Sequence, residues 1–144
     1  MSERAERMIW VKVDRPAALG HAKGRLGWAL WLIVVFLTLR AAWFAQVALA
    51  FDGGIALWGQ VGLMLVLVTM LVLRVPLAFP LMILHGAVVL IWFVRGLGEG
   101  QEVAALVDLG LHVPVLFYMV EGLRPNLIYR HRFRAYRGGE ADAN

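Results

Sequence analysis

The sequence predicts an all-α polytopic membrane protein, a bundle of four transmembrane helices with short loops and a basic amphipathic C-terminal tail. Three observations carry this. Of the 144 residues, 61 % are hydrophobic, well above the roughly 45–50 % of a soluble domain. The apolar residues gather in four stretches, each close to the ~20 helical residues needed to cross a hydrocarbon core. Most of the positive charge lies in the flanks, so the formal charge of +4 points to anionic lipid headgroups and not to nucleic acid.

Composition also removes several activities. There is no cysteine, which excludes disulfides, thiolate metal sites and cysteine nucleophiles. Ser2, Thr38 and Thr69 are the only aliphatic hydroxyls, and a second membrane aspartate to pair with Asp108 is missing. Intramembrane serine or paired-aspartate hydrolysis therefore lacks its reacting groups, and an enzyme is not expected.

Residues 1–25 form a basic leader with Arg4, Arg7, Lys12, Arg15, Lys23 and Arg25. Its apolar run Met8-Ile-Trp-Val11 reads as an interfacial segment with Trp10 at headgroup level, although the alternation Ile9, Val11, Val13 also fits a short strand against a partner. The first span covers residues 26–51. Ala48-Leu-Ala50 resembles a signal cleavage site, but the long charged leader and Arg40 inside the apolar stretch favour a retained helix. Asp52-Gly-Gly54 turns into the second span, 55–73, where Gly59, Gly62, Val66 and Thr69 share one helical face. That face reads as packing inside the monomer in preference to a dimerisation motif.

Arg74 to Pro80 forms the next turn, with Pro76 suited to a helix start and Pro80 to its first turn. The third span, 75–94, carries His85 and Gly86. A glycine-rich loop precedes the fourth span, 103–120, and residues 121–144 form the tail. Twelve of the fourteen lysines and arginines fall on one side of a four-span layout. The positive-inside bias makes that side cytoplasmic and predicts a multi-pass protein of a bacterial inner membrane with both termini inside. The same asymmetry argues against a dual-topology small multidrug exporter.

The candidate functional residues within the spans are Arg40, Gln46, His85, Asp108 and His112. Asp108 and His112 are four apart and share a helical face, and Pro114 is expected to kink the helix beside them. At about 1.5 Å per residue, His85 and His112 lie at nearly the same depth. Two level histidines suit a haem b, a quinone headgroup or a proton relay. Directly packed helices about 8–10 Å apart, however, leave little room for a porphyrin. Arg40 and Asp108 are expected to compensate each other, through water or Gln46 because their depths differ. No metal site is expected apart from the haem alternative.

In the tail, Tyr129, Phe133 and Tyr136 fall at helical spacing, with Arg130, Arg134 and Arg137 on an adjoining face. This predicts an amphipathic surface helix. Trp10, Arg130, Arg132, Phe133, Arg134, Tyr136 and Arg137 are the candidate contacts to the anionic inner leaflet or to a partner protein. RNA binding by basic and aromatic interleaving lacks a recognition module here.

Gly24-Arg-Leu-Gly-Trp-Ala-Leu-Trp31, the segment Arg74 through Phe79-Pro80, and Phe117-Tyr118 running into the basic tail together resemble a family of small four-span bacterial membrane proteins catalogued as a domain of unknown function. The resemblance covers most of the chain in layout. It implies four spans with both ends inside and adds no activity. The leading functional expectation is a non-catalytic accessory or assembly subunit packing against a larger membrane complex or as a homo-oligomer, with no cofactor. A haem- or quinone-binding anchor using His85 and His112 is the second expectation. A small oligomeric transporter around Asp108 and Arg40 is the third.

Overall fold

The computed structural model describes residues 8–97, 100 and 102–136. In chain order the elements are β1 (Met8–Lys12), α1 (Arg15–Gly20), a 3₁₀ turn (Ala22–Gly24), α2 (Trp28–Ala50), α3 (Ile55–Val72), α4 (Ala78–Gly96), α5 (Glu102–Glu121), α6 (Leu123–Arg130) and β2 (Arg132–Tyr136). Three helices are long and apolar enough to cross a membrane, and a fourth span results if α5 and the sharply bent α6 are counted together. The chain is a mostly helical membrane protein.

The turns sit where the punctuating residues fall. After α2 the backbone reverses through Asp52, at φ 50°, a conformation that a short polar side chain tolerates. The Gly53 amide then donates to the Ala48 carbonyl at 2.7 Å. A Cβ on Gly53 would stand 2.7 Å from the Ala48 Cα, so this close return requires glycine. Pro80 is the third residue of α4, where its missing N–H leaves no helical hydrogen bond unmade. Pro114 lies inside a continuous α5. The chain bends sharply at Gly122, where α6 departs from α5 at 66°.

Helices α2 and α3 form one hairpin and α4 and α5 another. Leu30, Leu37, Leu67, Leu71, Met82 and Met119 are buried between them, while Trp28, Leu39, Trp43, Leu49 and Ile55 face outward. Large exposed apolar side chains on every long helix are what a lipid-facing surface requires. The small-residue face of α3 also points outward: Gly59, Gly62, Val66 and Thr69 are all exposed. This corrects the expectation that the face packs inside the monomer.

The end of the bundle that carries both terminal segments, here the proximal end, is capped. Helix α6 is largely buried, with Ile128 and Tyr129 in the core and the Tyr129 hydroxyl donating to the Leu71 carbonyl at 2.9 Å. Asn126 Nδ2 donates to the carbonyls of Val120 and Gly122 at 2.7 and 2.8 Å, which satisfies backbone groups left open by the bend. Strands β1 and β2 pair antiparallel, with Trp10 opposite Arg134 and Lys12 opposite Arg132.

Two expectations are thereby corrected. The leader run is a strand, but it pairs with the chain's own tail and not with a partner protein, and the fold is not wholly α. The tail is not one amphipathic helix either. Helix α6 stops at Arg130 because His131 is left-handed, φ 49°, which sends Phe133 and Tyr136 into a strand while Tyr129 stays in the core. Arg137 lies outside the described residues.

Candidate functional site

A line of polar side chains joins the two hairpins. Gly86 follows His85 on α4, and a Cβ there would fall 2.6 Å from the Leu116 side chain. The absence of that Cβ lets α4 and α5 approach closely, and His112, one turn before Leu116, reaches His85. Their Nε2 atoms are 3.2 Å apart and both rings are buried. The near-equal depths expected from the sequence become a direct contact. His112 Nδ1 lies 2.9 Å from the backbone carbonyl of Asp108, and Phe36 of α2 packs edge-on against the same ring at 5.2 Å.

This geometry fixes the tautomers of a neutral pair. A carbonyl only accepts, so His112 carries its proton on Nδ1 and presents a lone pair at Nε2. His85 must then donate from Nε2, which leaves its buried Nδ1 as an acceptor without a partner among the described residues. The pair shares one proton between facing nitrogens, in a hydrogen bond that links α4 to α5.

Arg40 and Asp108 form a direct ion pair. The difference in depth is bridged by the long arginine side chain, whose guanidinium also stacks over Phe44 at 5.1 Å. Gln46 does not mediate. It is exposed on α2, which corrects its place in the expected set. The amide that belongs to the site is Gln60 of α3, a buried residue. Its signal was available, since it is the one amide inside the second apolar stretch, but nothing in the sequence ranks it above Gln46.

In the half of the bundle away from the termini, here the distal half, the hairpins part around a cavity of about 940 Å³. Arg40, Asp108 and Gln60, with Arg95 at the end of α4, supply its charged and amide groups, and Phe36, Trp43, Phe44, Trp92 and Phe93 supply aromatic walls. A mostly apolar chamber with a few convergent polar groups is the usual form of a small-molecule site. A haem held between His85 and His112 does not fit, because a porphyrin cannot enter a 3.2 Å gap between nitrogens that bond to each other. Among the described residues no group of three or more metal-ligating side chains forms.

The tail candidates are tied into the proximal cap. Arg134 pairs with Glu121 at 2.6 Å and stacks over Trp10 at 4.6 Å. Arg130 donates to Asn126 Oδ1 at 3.1 Å and covers Phe79 at 4.6 Å. Phe133 lies against His21 and Lys23, and Arg132 stands opposite Lys12 in the ladder.

No family model matches the chain, and no curated protein or solved structure matches it.

Proposed function

We propose that the distal cavity binds a bilayer-borne molecule with a flat, hydrogen-bond-accepting headgroup, of the quinone class. In this reading the chain is a four-span subunit of a bacterial inner membrane with both terminal segments on the cytoplasmic side. The observation that carries it is the placement of Arg40, Asp108 and Gln60 in an aromatic-walled chamber. Aromatic walls accept a planar ring, and the guanidinium and amide N–H groups are donors for carbonyl oxygens. Helices α2 and α5 meet here through side chains, Arg40 with Asp108 and Phe36 with His112. Leu39, Trp43 and Val107, all exposed, rim that seam and offer entry from lipid.

Titration of the full chain in lipid nanodiscs with ubiquinone and menaquinone headgroup analogues, read by quenching of tryptophan fluorescence, tests this. Saturable quenching is expected, about tenfold weaker for Gln60→Leu, the loss of one buried hydrogen bond of about 1.4 kcal/mol, and unchanged for Gln46→Leu. A second reading, an accessory subunit of a larger complex, is favoured by the outward glycine face of α3, since small residues stabilise a membrane helix only where another backbone comes close. Absence of saturable quenching, together with stoichiometric co-purification of a larger complex in gentle detergent, would overturn the first reading in favour of the second.

A further inference from the structure

A second site lies at the opposite end of the molecule and does not depend on the cavity reading. The pairing of β1 with β2, and the bond from the Val13 amide to the His131 carbonyl at 2.8 Å, bring the exit of β1 against the end of α6. Lys12, Val13, Asp14, Arg15, Arg130 and His131 then surround a depression of about 390 Å³. Residues distant in sequence thus place three permanent cations around one small volume, against one carboxylate, Asp14.

Three details mark this as more than a charged surface. Arg130 is held in place, bonded to Asn126 and stacked on Phe79, so little freedom remains to be lost when its guanidinium meets an anion. Asp14, which precedes α1, makes no capping bond with its side chain, so the strand exit is not organised around its own acid. His131 takes the left-handed backbone and has its Nε2 buried without a partner among the described residues. Leaving a buried ring nitrogen unpaired is unfavourable, and a turn of the ring toward the depression that His131 lines would let a phosphate oxygen accept from Nε2–H.

We infer that this depression binds a phosphate group, with Lys12, Arg15 and Arg130 supplying the charge and His131 a directed donor. The surplus of two cations over Asp14 matches a phosphate ester carrying one to two negative charges. Phe79 sits at the start of α4, so its contact with Arg130 sets the depression at the level where that helix leaves the apolar bundle. In the proposed orientation this is the headgroup layer of the inner leaflet. The source is then the phosphate of an anionic lipid, and a soluble phosphate would use the same groups.

The experiment is thermal unfolding of the full chain in an uncharged detergent, titrated separately with dioleoyl phosphatidic acid and with inorganic phosphate. Stabilisation by the lipid alone identifies a headgroup site, and stabilisation by both identifies a site for the phosphate group itself. In either case the double variant Lys12→Gln/Arg15→Gln is expected to weaken the apparent affinity at least ~tenfold, the scale of one or two charge-assisted contacts. Lys23→Gln/Arg25→Gln, the same charge change on exposed residues outside the depression, is expected to retain it. His131→Asn keeps a residue that tolerates the left-handed backbone and removes the imidazole, so it tests the site even if the double variant does not fold. No shift with either probe, or an equal loss in the control variant, overturns the inference.

Discussion

The two ends of this bundle solve opposite problems. At the proximal end the leader and tail fold back as one cap: β1 pairs with β2, α6 lies under the bundle, and Tyr129, Asn126, Arg74 and Arg124 donate to backbone carbonyls. At the distal end α2 turns into α3 through Asp52, Gly53 and Gly54, and the two hairpins part around a cavity. The comparison teaches that polar groups play different parts in the two regions. In the cap most of them bond to backbone carbonyls, with Arg134 and Glu121 pairing beside them, whereas in the bundle the Arg40–Asp108 ion pair holds two hairpins together beside an open volume.

Breaking the Arg40–Asp108 ion pair should have the largest effect. Asp108→Leu leaves Arg40 unpaired among apolar side chains, and a loss of about 3–5 kcal/mol is expected, as for other buried pairs deprived of one partner. The double replacement Arg40→Met/Asp108→Leu should restore most of that, because no charge is then left without compensation. Denaturant titration in mixed micelles reads both. A double variant as unstable as the single one would show that the ion pair is not what joins the hairpins.

In the cap, Gly122→Ala places a methyl group against the Tyr118 carbonyl at the bend on which α6 depends, with an expected cost of about 2 kcal/mol. Gly54→Ala at the distal end meets no atom within 4 Å and should change stability by less than ~0.5 kcal/mol. Equal costs would show that the bend at Gly122 is not closed by its contact with the Tyr118 carbonyl. A smaller effect is expected for Tyr129→Phe, about 1 kcal/mol for the hydrogen bond to Leu71, measured in the same titration. The smallest are Gln60→Leu and Gln46→Leu, each within ~0.5 kcal/mol in stability. Only the first should alter ligand binding, which separates a cavity residue from a surface one.

Much of the architecture could be read from the chain, and particular residues show where reading stopped. Residues 26–51, 55–73, 75–94 and 103–120 were expected as spans, and α2 to α5 begin and end within three residues of those bounds. The level placement of His85 and His112 followed from counting rise per residue along each helix. Gln60 against Gln46, and the direction of the Gly59 face, did not follow. The strand pairing also escaped, since Met8 and Tyr136 are far apart in the chain and each segment had a plausible role alone.

What the sequence by itself determined is therefore the set of long helices, their order, the turns between them and the gathering of positive charge at one end. These are local properties, set by runs of hydropathy and by Gly and Pro at the junctions. The tertiary structure decided which way each helix faces, that Arg40 reaches Asp108 directly, and that leader and tail become one cap. The reason is physical. A lipid-facing side chain is as apolar as one in the core, so a membrane helix carries no clear polar stripe from which its rotation can be read. Helix rotation and long-range strand pairing are settled by fit between surfaces, which exists only once the chain has folded.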